Sequence, residues 1–343
     1  MKEKVIRMKI ITLETLPDNF GIGLDKEYRK EIFKVCIQKL GINDLAKKLG
    51  YARKTIESLR RGYTSGKNGK VAKRFLKVRT LKKLAQISDI DIEEIEPHIT
   101  EISIGNFFLK INLPIYATKE LASVIGHCFG DGYVGAYFGY FNKNKGLINE
   151  VRGNVKNLFN LQGNVIRHHG VYFLYFPGII SQMLKLSGAP FGNKINQKLK
   201  VPIWIKNNDA RIKSSFLRAL FDDESSVKFK GYDRNIQFAL FKKQNLIRWH
   251  KNFMTELCQL LLEFHILPSK LRQVNIKNSV GIKFTISGYY NLIKFSEMIN
   301  FSHSIKKQKL QNSIQTYKQI QQHNREKFSN PDWIAHGVKI VKK

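Results

Sequence analysis

Two stretches of this sequence repeat one another, and the repeat restricts the possible folds more than any other feature. LASVIGHCFGDGYV (residues 121–134) and FLRALFDDESSV (residues 216–227) are both apolar runs of helical spacing that stop at an acid and pass into strand-forming residues. In the first, Gly126 and Gly130 stand one turn apart and make a flat side that another helix backbone can approach; in the second, Ala219 holds the place of Gly126. Two such helices packed together would set Asp131 and Glu224 side by side at their C-terminal ends. There the helix dipole and mutual repulsion both disfavour a carboxylate, and a divalent cation between the two is the natural resolution. The material that follows repeats as well. FNKNKGLI (141–148) parallels FKKQNLI (241–247) with one gap, and FLYFPGII (173–180) parallels FTISGYY (284–290). Each half therefore reads helix, two strands, helix, two strands, helix, an α+β pattern.

VIGHCFGDG (124–132) and LRALFDDES (217–225) resemble the nine-position motif of the LAGLIDADG (dodecapeptide, DOD-type) homing endonucleases. GAPFGNK (188–194), VPIWI (201–205) and FSH (301–303) are similar to connectors of that family. The resemblance covers about residues 115–318, divided into a first repeat at 118–210 and a second at 211–318. The two acids lie 93 residues apart, which suits a monomer carrying both half-sites. The resemblance implies two pseudo-symmetric αββαββα repeats whose sheets form a β-saddle over the DNA major groove. It further implies hydrolysis of a phosphodiester in each strand, with Mg²⁺, or Mn²⁺ in its place, held by Asp131 and Glu224. A lysine that organises solvent is expected near the acids. Lys243 is the first choice, with Lys242 beside it and Asn142 and Lys143 at the matching place of the first repeat. His127 and Cys128 read as packing residues. DNA-facing strand positions are expected at Lys228, Lys230, Tyr232, Arg234 and Gln237, then at Arg272, Gln273, Asn275, Lys277 and Lys283. Ser225 departs from the family's usual glycine after the second acid, and Asp223 from a residue that is often small; both bear on how Glu224 is held.

Charge points to the same partner. The chain has 59 Lys and Arg against 27 Asp and Glu, a net charge of +32. Both ends share the excess, with 23 basic against 13 acidic residues up to position 100 and 36 against 14 beyond it. Such a surface attracts phosphate polyanions. Residues 1–100 read as an all-α domain with a resemblance to the lambda-repressor-like helix-turn-helix family over about 26–97. In INDLAKKLGYARKTIESLRRG (42–62), Asn43 or Asp44 can cap a short helix, Gly50 turns the chain, and Ile56 and Leu59 pack a second helix back on the first. That family places the second helix in the major groove, which puts Arg53, Lys54, Thr55 and Ser58 at the bases. The stretch SGKNGKVAKRFLKVR (65–79) suits phosphates. Residues 101–117 read as an extended connector, a polar helix is expected from about Gln311, and residues 319–343 read as a basic tail.

These observations exclude some classes and leave others open. No run of about 20 apolar residues exists that could span a bilayer, and the first residues make no convincing signal peptide. Cys36, Cys128 and Cys258 are widely spaced and form no CxxC pair, which argues against a zinc site or disulfide framework and fits a reducing cytoplasm, prokaryotic and of archaeal type by the family resemblance. Protein splicing needs a nucleophile at the start and His-Asn before Cys, Ser or Thr at the end; His323-Asn324 is followed by Arg325, so a free-standing protein is expected. Three functions remain: a double-strand DNA endonuclease, a DNA-binding regulator with a silent LAGLIDADG domain, and a maturase that binds intron RNA.

Overall fold

The glycines of Gly-Ile-Gly-Leu (21–24) hide a strand, and much of the N-terminal architecture follows from it. The computed structural model describes residues 8–65, 71–230, 233–276 and 279–329. These form a mixed α/β protein with antiparallel sheets. The described residues up to Asn193, with Pro202–Ile212, make one unit; Lys194–Val201 and the described residues from Lys213 onward make a second.

The first unit opens with β1 (Lys9–Ile11) and β2 (Gly21–Leu24), then α1 (Lys26–Leu40), α2 (Ile42–Leu49) and α3 (Arg53–Arg61). Asp25 caps α1 by accepting from the Tyr28 amide at 2.8 Å. β3 (Tyr63–Ser65) and β4 (Val71–Lys73) pair as a hairpin; β5 (Leu76–Lys77), α4 (Val78–Ser88) and α5 (Ile92–Ile95) follow. Next come β6 (Ile99–Ile104), β7 (Phe107–Lys110) and β8 (Ile115–Tyr116). The all-α expectation for residues 1–100 is therefore corrected. A four-stranded sheet of order β5-β2-β6-β7 backs the helices, and β1 pairs with β8. Residues 101–117 are likewise no connector, because most of β6 and all of β7 and β8 lie within them. Glycine is a weak strand former, which concealed β2 from any propensity argument. Ile32, Phe33 and Cys36 of α1 meet Leu45, Ile56, Leu59, Leu81 and Leu84 in the buried centre of this part.

The run that carries the first motif follows as α6 (Lys119–Phe129), β9 (Gly132–Val134), β10 (Phe138–Asn142), α7 (Lys145–Phe159), β11 (Asn164–His168), β12 (Val171–Phe176) and α8 (Gly178–Leu186). A short α9 (Ile203–Lys206) leads to α10 (Ala210–Glu224), which carries the second motif. The second run continues with β13 (Ser225–Lys230), β14 (Asp233–Lys243), α11 (Ile247–Glu263), β15 (Arg272–Ile276), β16 (Ser279–Ser287) and α12 (Tyr289–Met298). The sheets have the orders β11-β12-β10-β9 and β13-β14-β16-β15. Each sheet buries one face, as strand alternation requires. Phe138 stacks on Phe176 at 5.6 Å in the first, and Phe221, Phe238, Phe284 and Phe295 cluster over the second. Finally, α13 (Ser304–Ser329) starts earlier than the polar stretch suggested and runs through half of the segment read as a tail; residues 330–343 lie outside the described residues. Among the described residues no helix is long and apolar enough to cross a membrane.

Candidate functional site

Asp131 stands just past the end of α6, whose residues Leu121–Phe129 are all buried. Thr118 starts that helix by accepting from the Leu121 amide at 3.1 Å. The chain then doubles back so tightly that a Cβ on Gly132 would lie 2.8 Å from the His127 carbonyl oxygen and 2.9 Å from Cys128 Cα. Only glycine fits this corner, and the corner is what leaves Asp131 exposed at the helix end. Asn142, the last residue of β10, donates from Nδ2 to Asp131 Oδ2 at 2.9 Å and to the Tyr140 hydroxyl at 3.3 Å. Its side-chain Oδ1 accepts from the Asn144 backbone amide at 2.8 Å, so the side-chain amide is held from both ends. His127 is fully buried with its ring edge against Tyr140 at 4.9 Å, and Cys128 is buried too. Both lie in the packed interior of this part.

The second acid is held differently. Ser225, at the position matching Gly132, is buried and has no positive φ; its hydroxyl donates to the Phe221 carbonyl at 2.6 Å. The side chain that departs from the family's glycine thus closes the last turn of α10. Lys306 of α13 also donates to the Phe221 carbonyl, at 3.1 Å, and to that of Asp222, so an ammonium group faces the negative end of the helix dipole. Asp222 is 2% exposed and accepts from the backbone amides of Ser302 and His303, each at 3.0 Å. The Phe301-Ser302-His303 segment therefore serves as a clamp on the end of α10, and Glu224 is the residue that the clamp presents, half-buried.

A lysine sits with this acid, and it is Lys242. Along β14 the residues Ile236, Phe238, Leu240 and Lys242 alternate into the buried face. Lys242 is 3% exposed and its Nζ donates to the Lys194 carbonyl. Burial first, and then the positive Lys194, bring its pKa down to about 8, while the charge of Glu224 acts the other way. Lys243, the first choice from the sequence, is exposed and faces the opposite side of the sheet. The correction is a matter of strand parity. Lys242 and Asn142 occupy matching positions in the two runs, the same ones that FNKN and FKKQ align.

Register also sorts the expected DNA-facing residues. Lys228 pairs with Asn235, Lys230 with Asp233, and Gln237 with Ser226 and Thr285, all on the open face of the second sheet. Lys283 pairs with Arg272 and Ala239 on that same face. Arg234 does not belong there. It pairs with Phe229 on the opposite parity, and its guanidinium lies 5.4 Å from the Tyr317 ring centre on α13. Asn275 pairs with buried Val280 and accepts from Gln273 Nε2 at 2.8 Å, so both of these edge-strand residues also point away from the open face. Tyr232 and Lys277 lie outside the described residues.

On the short helical pair, Arg53 and Lys54 are exposed and Thr55 is half-buried. Arg53 Nε reaches Glu57 at 3.3 Å. Ser58 is buried and donates to the Thr55 carbonyl at 2.8 Å, which removes it from the outward set. Arg60 and Arg61 are exposed on the same helix and were missed; the Arg-Arg pair after Leu59 was the available signal. Of residues 65–79, positions 66–70 lie outside the described residues. The rest contributes Lys73 and Arg74, which line a hollow of about 250 Å³ with Lys26, Arg29 and Arg61.

Each acid by itself offers carboxylate oxygens, the donor type that hard divalent cations take. Among the described residues no group of three or more His, Cys, Asp and Glu that could hold a metal ion is gathered.

No known protein-family profile matches the chain. Among curated proteins it is 24% identical over 243 residues to the tRNA-splicing ligase RtcB of Methanopyrus kandleri, covering 64% of this chain and 24% of that protein. It is 27% identical over 312 residues to the glutamine–fructose-6-phosphate aminotransferase of Methanocaldococcus jannaschii, covering 84% of this chain and 25% of that protein. The chain thus spans about a quarter of the length of the curated relatives it matches. Among solved structures it is similar to the homing endonuclease I-DmoI in complex with DNA and Ca, with a TM-score of 0.38 and 14% identity over 53% of this chain and 88% of that one. It is also similar to the full-length DUF199/WhiA from Thermatoga maritima, with a TM-score of 0.37 and 13% identity over 60% of this chain and 63% of that one.

Proposed function

We propose that this chain is a site-specific, double-strand DNA endonuclease of homing type, with two LAGLIDADG repeats that bind a divalent metal through one acid each. The observation that carries the reading is the matched pair of corners. In each run an apolar helix ends at an acid, a strand pair follows, and the last buried-face position of the second strand returns to the acid: Asn142 to Asp131 by a hydrogen bond, Lys242 to Glu224 by charge. Asp131 and Glu224 would hold the cation, which would supply an activated water and stabilisation of the leaving oxygen when bound. Lys242 then holds positive charge at the Glu224 end, where negative charge grows on the phosphate.

Binding is assigned to the open face of the second sheet, where Lys228, Lys230, Arg272, Lys283 and Gln237 suit phosphates and base edges. The helical pair at 42–61 extends the footprint, with Arg53, Lys54 and Thr55 at a second segment of duplex. The two kinds of curated relative are named for unrelated chemistries, an RNA ligase and an aminotransferase. A likeness to a quarter of each fits a module separate from either activity. A DNA-binding regulator without cleavage is the second reading, favoured by the exposed basic side of α3. The test is to incubate the protein and Mg²⁺ with a randomised duplex library and sequence the cut ends. Ends that share one site, and vanish in Asp131→Asn, support the endonuclease; enrichment of bound but uncut duplex with Mg²⁺ and Mn²⁺ supports the regulator.

A further inference from the structure

The open face of the first sheet has none of the charge of the second. Gly139 lies at its centre, paired with Tyr133 of β9 on one side and Tyr175 of β12 on the other. Tyr137 precedes it and Phe141 follows it on the same face, and Phe173 pairs with Phe141 one step further. The rings touch in a continuous patch. Ring centres are 5.1 Å apart for Tyr133 and Tyr137, 5.4 Å for Tyr137 and Tyr175, 5.9 Å for Phe141 and Tyr175, and 5.3 Å for Phe141 and Phe173. Phe173 and Tyr175 lie nearly parallel, at 11°. A Cβ on Gly139 would come within 2.7 Å of Phe141 and 2.9 Å of Tyr137, so the glycine is what lets these rings lean inward and show their faces. Burial, then the neighbouring Tyr175 and Tyr133, hold the Tyr137 hydroxyl above its ordinary pKa. Tyr137 is nevertheless 37% exposed, and Ile166 at the rim 56%.

We propose that this patch is a stacking platform for the unpaired bases of single-stranded DNA. It rests on the DNA reading above and adds a second mode of contact to it. Duplex is read through donors and acceptors on base edges, most often by Arg, Lys, Asn and Gln, whereas this patch is mainly ring surface, with tyrosine hydroxyls at the ring tips and Asn164 beside Tyr175 on the edge strand. An unpaired base offers a π-face, and a sheet carrying two or three aromatic rings is a surface on which such bases stack. The surrounding charge selects a polyanion over an apolar peptide or a second copy of the chain. Lys143 and Lys145, just past β10, are exposed where a phosphate backbone would run, and the chain as a whole carries a net charge of +32.

The experiment measures binding of the full chain to a short oligothymidine strand, to oligouridine and to duplex, for wild type, Phe173→Ala, Tyr175→Ala and Phe173→Tyr. Each alanine variant should weaken oligothymidine binding about 5- to 150-fold with the salt dependence unchanged, because stacking releases no counterions. Phe173→Tyr should keep the affinity, which shows that ring loss and not misfolding is the cause, and duplex affinity should stay at the wild-type value in all. The platform is overturned if the alanine variants bind oligothymidine as wild type does, or lose duplex in equal measure. Tighter binding of oligouridine, or loss of a wild-type dimer in the alanine variants, overturns the assignment to DNA by identifying another occupant. A wild type that binds oligothymidine but no duplex leaves the platform standing and removes the endonuclease reading; a wild type that binds neither removes both.

Discussion

Asp222→Asn should destabilise the second unit although it keeps size and shape. The Asp222 carboxylate is buried and accepts two backbone amides, from Ser302 and His303, at the start of α13. A carboxylate can accept at both oxygens, whereas asparagine has one acceptor and turns its NH₂ toward the other amide. Hydrogen bonds to a charged group contribute about 1.5–3 kcal/mol each, and an orphaned buried donor costs about 1–3 kcal/mol. Ser302 is exposed, so water recovers part of its loss. We place the net effect at about 2–3 kcal/mol, or about 6–12 °C in the melting temperature of a unit of this size. The assay is thermal unfolding together with hydrogen exchange at the Ser302 and His303 amides. Loss of protection at these amides should accompany the lower midpoint, and Glu224 should lose activity with its clamp. A midpoint within about 2 °C of wild type, with both amides still protected, would refute the argument that Asp222 ties α10 to α13.

Other residues give shorter tests. Lys242→Met should lower the cleavage rate by about 10²–10⁴-fold with DNA affinity unchanged, and Lys243→Met should do the reverse, weakening affinity and reducing the salt slope by about one; single-turnover cleavage and salt-titrated binding separate the two. Ser225→Ala removes one of two donors to the Phe221 carbonyl, and since Lys306 remains, it should cost no more than about 1 kcal/mol by chemical denaturation. His250 is buried with Nε2 on the Leu240 carbonyl and no partner at Nδ1, and burial, outweighing that bond and joined by Lys242, lowers its pKa. The unfolded chain therefore binds a proton that the folded one refuses, so stability is full above the ordinary histidine pKa and falls as pH drops through it toward the lowered folded value. Denaturation midpoints at neutral and mildly acid pH should show this fall, and His250→Gln should flatten it.

The sequence made the paired helix-acid-strand runs legible because the apolar spacing, the glycine corner and the acids are local features. What it concealed was parity and distance. Lys242 and Lys243 are adjacent, and a one-residue step along a strand exchanges the buried side for the open one. Arg234 and Asn275 failed as DNA-facing residues for the same reason. Asp223 is the residue that departs from a small one in the motif, and nothing local marks Asp222 beside it, whose partners lie some 80 residues away, just before α13. The N-terminal sheet was hidden by Gly21 and Gly23 and by a strand, β5, of two residues, neither of which rises above local propensity. Ser58 fell inside α3 because the helix turns its Ile56-Ser58-Leu59 side inward.

The central claim is that Asp131 and Glu224 hold the metal for cutting and not for folding. Its most direct test compares wild type, Asp131→Asn and Glu224→Gln on the duplex site recovered from the library, measuring binding with Ca²⁺ and cleavage with Mg²⁺. The account predicts binding by all three and cleavage by wild type alone. Cleavage that persists in either variant, or a wild type that binds the site and never cuts it, would contradict the claim.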